Sequence, residues 1–116
     1  MLAQNIQSIA QLNDQARSHW FDQRYCRTML TQGIRALIEK NNDDLQGVML
    51  EIADFDDFTS DNDPYSEHDF GALHRGGEKI FWRIDCYDQK FKYLSTDPKD
   101  PSITRRVMTV MLAEEY

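Results

Sequence analysis

Thirty-four consecutive residues, Asn41 to His74, contain no lysine and no arginine. The same window holds ten acids: Asp43, Asp44, Glu51, Asp54, Asp56, Asp57, Asp61, Asp63, Glu67 and Asp69, half of the twenty in the chain. Phosphates are gripped by Lys and Arg, so a direct role for this window in holding nucleic acid is disfavoured. Other absences narrow the field further. No apolar run approaches the roughly 18 residues of a membrane span, and Met1 to Gln15 lacks the basic-then-apolar order of a signal peptide. The two cysteines, Cys26 and Cys86, form no CxxC motif and read as free thiols of a reducing cytoplasm. There are no internal repeats and no low-complexity tracts.

The remaining composition is that of an ordinary folded domain: 116 residues, 41% apolar, 28% charged, with a net charge of −7. That length supports one core, so residues 1–116 are read as a single domain.

The chain is organised around Asp61–Asp88. Gly76-Gly77 provides the positive φ that a two-residue hairpin turn needs. Beyond it, Ile80, Trp82, Ile84 and Cys86 alternate with Phe81, Arg83, Asp85 and Tyr87, the period of a half-buried strand. The turn fixes a register over 68–75 and 78–87: Leu73 faces Ile80, Gly71 faces Trp82 and leaves room for its indole, and Phe70 faces Arg83. The same register places His68 opposite Asp85 and beside Arg83, with Phe70, Phe81 and Tyr87 around them. Upstream, Asn62-Asp63-Pro64-Tyr65 reads as a turn.

Elsewhere, Leu2, Ile6, Ile9, Leu12, Ala16 and Trp20 recur at helical spacing over 2–20. Arg27–Thr31 is a short strand candidate. Ile34, Leu37 and Ile38 mark a brief helix. Leu45, Val48, Met49, Ile52 and Phe55 mark another, with a strand over 47–53 as the competitor because Gly47 weakens a helix. Asp97-Pro98 and Asp100-Pro101 enforce turns. Residues 105–113 read as a buried strand rather than a helix, since Val and Thr favour extended backbone. The expected fold is α+β: a small, mainly antiparallel sheet built on the central hairpin, with two or three helices on one face.

Metal chemistry finds little footing. Asp61-Asn62-Asp63 opens like an EF-hand loop. Tyr65 then takes a ligand position, Ser66 replaces the required glycine, and Ala72 stands where the bidentate glutamate belongs. His19, His68 and His74 make no zinc motif. An improvised site from Asp63, Glu67, His68 and Asp85 is the remaining metal option.

The blocks NDPYSEHDFG (62–71), FWRIDCYD (81–88), STDPKDP (95–101) and TRRVMTVMLAEEY (104–116) resemble a bacterial family known as a domain of unknown function, the DUF3768 group. That family's pattern usually has Gly where Ser66 stands, Lys for Arg83 and Tyr for Cys86. The Cys86 difference argues against thiol chemistry. The resemblance carries no reaction. It implies a setting on plasmids and other mobile elements, among small genes that include anti-restriction proteins.

Two functions remain. The first is a small acidic interaction module, encoded by a mobile element, that inhibits a basic, nucleic-acid-handling or defence protein. Its binding surface would be Asp56, Asp57, Asp61, Asp63, Tyr65, Glu67 and Asp69. No cofactor and no membrane is called for. The alternative is a hydrolase or metal-binding enzyme in which His68 is the general base, Asp85 orients it and Arg83 stabilises an anion. Beside both stands the plain reading of a solvated acidic loop and a mutually satisfied ion-pair network.

Overall fold

The computed structural model describes residues 7–116. Three helices, α1 (Ile9–Ser18), α2 (Gln32–Lys40) and α3 (Leu45–Ala53), pack on one face of a four-stranded sheet. The strands are β1 (Arg27–Leu30), β2 (Phe70–Arg75), β3 (Glu78–Tyr87) and β4 (Arg105–Leu112), in the spatial order β1-β4-β3-β2. β4–β3 and β3–β2 are antiparallel, and β1 adds to β4 in parallel. This is an α+β fold with a mainly antiparallel sheet.

The diglycine turn holds. Gly76 and Gly77 adopt φ of 60° and 80°, and β2 pairs with β3 as Arg75–Glu78, Leu73–Ile80, Gly71–Trp82 and Phe70–Arg83. Trp82 is fully buried and lies across Gly71, where an added Cβ would fall 2.5 Å from the indole Cε2. Ile80, Trp82 and Ile84 meet Met108 and Val110 of β4 and the apolar stripes of the helices. β4 is a strand, as its Val and Thr content predicts, although its burial on both faces is confined to its end at Met111 and Leu112.

Each helix starts at a side-chain cap. Ser8 and Gln11 form a reciprocal capping box that starts α1 at Ile9, later than the periodicity over 2–20 suggests. Leu2 and Ile6 of that stripe lie outside the described residues. Thr31 caps α2 and Asp44 caps α3. α3 is a helix rather than a strand. Gly47 leaves the space occupied by the Arg75 guanidinium, 2.8 Å from where a Cβ would stand. That guanidinium pairs with Asp43 at 2.6 Å and with Glu51 at 3.0 Å.

The C-terminal turn, Ala113–Glu115, brings Glu115 back to the start of α2. Its carboxylate accepts from the Thr31 hydroxyl at 2.6 Å, the Gly33 amide at 3.1 Å and the Leu112 amide at 2.8 Å. A negative charge at a helix N-terminus is favourable, and the Thr31 hydrogen bond lowers the Glu115 pKa.

Two outcomes follow. Gly71→Ala should cost about 1–3 kcal/mol in urea unfolding, because the new methyl cannot share space with the indole. Glu115→Gln should lower stability at pH 7 by roughly 0.3–1 kcal/mol, the exposed carboxylate being screened by solvent. Because the folded-state pKa of Glu115 is depressed, its contribution is complete above the unfolded value near ~4.3 and is lost as pH falls through the folded value. Thermal midpoints of parent and variant should therefore converge as pH falls from the unfolded value through the depressed folded one.

Candidate functional site

The hairpin does not extend to His68. β2 begins at Phe70, and the last contact of the ladder is the Ile84 amide on the Asp69 carbonyl at 2.8 Å. The chain turns away just before it. Ser66 and His68 both have φ of 55°, a left-handed conformation costly for residues with a side chain. Asp63 holds this shape. The buried carboxylate accepts from the amides of Glu67 and His68 at 2.9 and 3.2 Å. The Ser66 amide closes a turn on the Asp63 carbonyl at 3.1 Å, with Pro64 in the second position. A glycine at position 66 would adopt this backbone without that cost.

The predicted His68–Asp85 pair is therefore absent. The His68 imidazole stacks on Phe58, with centroids 3.9 Å apart and planes within 4°, and Phe58 stands edge-on to Trp82. This places His68 on the side of the sheet that carries the helices. Its Nδ1 donates to Asp14 at 2.9 Å, and its Nε2 lies 3.8 Å from Asp63. Asp85 alternates with the inward-facing Ile84 and instead accepts from Arg83 Nε at 3.0 Å. Arg83 and Asp85 thus meet as expected, without the histidine. The aromatic residues beside them are Phe70, Phe81 and Tyr116. Phe70 and Phe81 are 4.9 Å apart, and Tyr116 is edge-on to both and 6.0 Å from the Arg83 guanidinium.

Sequence reasoning missed the residues that organise the acidic segment. Arg17 of α1 is 3% exposed, and its Nη1 donates to the carbonyls of Ile52 and Phe55 at 2.7 and 2.8 Å. It thereby caps the C-terminus of α3, where cations are favoured. Its Nη2 donates to Asp14 at 2.6 Å, and its guanidinium lies 4.7 Å from the Trp82 ring and 5.3 Å from that of Phe58. Asp14 therefore joins Arg17 to His68. The available signal was Asn13 and Arg17, four apart and bordering the Leu12–Ala16 stripe. Both are buried, the position where a wider helical stripe would put them.

Residues 54–69 run without helix or strand, yet they are pinned from within. Phe55 and Phe58 pack on Trp82, Asp63 is buried, and Asn13 donates to the Glu67 carbonyl at 2.9 Å. Asn62 ties the bend internally, accepting from the Thr59 amide at 2.8 Å and donating to the Asp57 carbonyl at 2.8 Å. The outward residues include Asp54, Asp56, Asp57, Asp61 and Tyr65, and the tyrosine is 82% exposed. Among the expected binding residues, Asp56, Asp57, Asp61 and Tyr65 face solvent. Asp63 is structural, and Glu67 and Asp69 are half-buried. Burial, followed by repulsion from neighbouring acids, raises the pKa of Glu67. The Asp69 pKa is likewise raised, foremost by burial.

The improvised metal site does not assemble. Asp63 is occupied by backbone amides and Asp85 by Arg83. Among the described residues, no group of three His, Cys, Asp or Glu is placed to hold a metal ion. Both cysteines are free, and burial raises the pKa of each thiol. Among the described residues no helix is long and apolar enough to cross a membrane.

Fold and site together define a small α+β domain that presents a pinned acidic loop. The chain belongs to a family described as a protein of unknown function, DUF3768, which it matches over residues 30–115. No curated protein and no solved structure matches it.

Arg17→Met keeps side-chain bulk but strips the cap from α3 and leaves Asp14 without its cation. It should destabilise the fold by about 2–4 kcal/mol in chemical denaturation. Amide hydrogen exchange should quicken across 54–68 more than in the β3–β4 pair.

Proposed function

We propose that this protein is an acidic docking module whose 54–69 loop engages a basic protein partner. The observation that carries the reading is the division of labour within that loop. Phe55, Phe58, Asp63 and His68 turn inward and fix its path, while Asp54, Asp56, Asp57, Asp61 and Tyr65 are left to solvent with no cation paired to them among the described residues. An exposed tyrosine on the same loop as exposed carboxylates is the composition of a contact anchor with charged neighbours. Because the loop is already ordered, little conformational entropy would be lost on binding. Long irregular segments held in one shape are commonly functional.

The acids form a negative surface of the kind that attracts proteins evolved to hold phosphates. The mobile-element setting implied by the family resemblance fits a partner that handles nucleic acid or defends the host, with this protein as its inhibitor. The hydrolase alternative depended on His68 meeting Asp85. With the imidazole stacked on Phe58 and bonded to Asp14, that arrangement has no geometric support.

The test is affinity capture of a basic protein from host lysate, followed by titration of the purified pair. The triple variant D56K/D57K/D61K should weaken binding by about tenfold or more, mainly through a slower association rate. Rising salt should weaken the parent complex and leave the residual variant complex less affected. Duplex DNA should compete for the same partner. A partner held equally well by parent and triple variant would rule out the acidic loop as the contact.

A further inference from the structure

The same acidic chain gathers arginines at one place. β1 and β4 start side by side because they pair in parallel, with Arg27 opposite Val107. This brings Arg27 to Arg105 and Arg106, and the turn before β1 adds Arg24. All four line a cleft of about 50 Å³, together with Tyr25 and Phe91, and no Asp or Glu lines it.

Arg106 is the telling member. It is 7% exposed, and its guanidinium donates only to neutral acceptors, Asn13 Oδ1 and the Pro98 carbonyl, each at 2.7 Å. Burial lowers its pKa, and no carboxylate offsets that effect. A buried cation left without a counter-charge is costly. Arg27 and Arg105 are exposed and, like Arg106, have no carboxylate within salt-bridge distance among the described residues. Arg27 lies against Phe91 at 4.8 Å. Arg24 alone has a carboxylate, Asp22, at 2.7 Å. Four guanidiniums and one carboxylate leave a local excess of three positive charges.

We propose that this cleft binds the phosphate group of a small ligand. Charge selects phosphate over carboxylate: a dianion offsets more of the excess than a monoanion. Guanidinium forks also suit tetrahedral oxyanions, which accept paired N–H donors. A volume of about 50 Å³ holds a few water molecules, so it takes one phosphate and leaves any attached body outside, beside Tyr25 and Phe91. The site shares no residue with the acidic loop and does not depend on the docking role proposed for it.

The experiment is isothermal titration of the full chain with inorganic phosphate and, separately, with adenosine monophosphate, at an ionic strength held constant with sodium chloride. Saturable binding is expected. The double variant R27Q/R105Q should weaken it by about tenfold or more, because two charge-assisted donors are lost. Both residues are exposed, and an unchanged thermal midpoint will show that the variant folds. Arg35→Gln removes an exposed arginine outside the cleft and should leave binding as it was. Tighter binding of the nucleotide supports a phosphorylated small molecule, and equal binding supports free phosphate. The proposal is overturned if neither ligand saturates, if acetate binds as well as phosphate, or if R27Q/R105Q binds like the parent.

Discussion

A guanidinium inside the core holds this structure together. Arg17 is buried, yet it meets a helix end, a carboxylate and two aromatic rings at once. Leaving it uncompensated would cost several kcal/mol, so the groups around it are constrained jointly. α3 must end where its carbonyls reach Arg17. Asp14 must point toward the loop, and Phe58 must lie where it can cover both Arg17 and His68. The acidic loop takes its path from these demands. Within that network Arg17 Nε and Trp82 Nε1 meet no acceptor among the described residues.

The charge of −7 conceals two opposite local fields. The carboxylates of 54–61 face outward with no cation paired to them among the described residues, whereas arginines from both ends of the sequence converge where β1 and β4 begin. Asn13 stands between them. It donates to the Glu67 carbonyl on the acidic side and accepts from Arg106 on the basic side. A neutral amide can serve both because it carries a donor and an acceptor. Aspartate there would lose the donor to Glu67, and leucine would lose both contacts.

The parts of the fold set by short-range rules were legible from the residues. Gly76-Gly77 dictates its turn, and the turn dictates the register, so Gly71 beneath Trp82 could be read directly. The β4 strand followed from its Val and Thr content. The candidate site was less legible because its geometry is set by side chains far apart in sequence. His68 fits strand alternation as well as Phe70 does. What removes it from the strand is Asp63 capturing its amide and Asp14 capturing its ring, and neither is visible in a period of two. Arg17 was hidden for a related reason. An arginine bordering an apolar stripe ordinarily reaches water, and only the end of α3 above it makes burial tolerable. The basic cleft depended on the parallel β1–β4 pairing, which no local pattern reports.

That pairing bears on how the chain is synthesised. β4 lies between β1 and β3 in the sheet although it follows both in the chain. Until residues 105–112 leave the ribosome, β1 has no neighbour to bond and the outer edge of β3 stands open. In that interval both edges can pair with other chains, and the sheet closes only once β4 is available. The strand that completes the sheet is thus the one that both β1 and β3 must wait for.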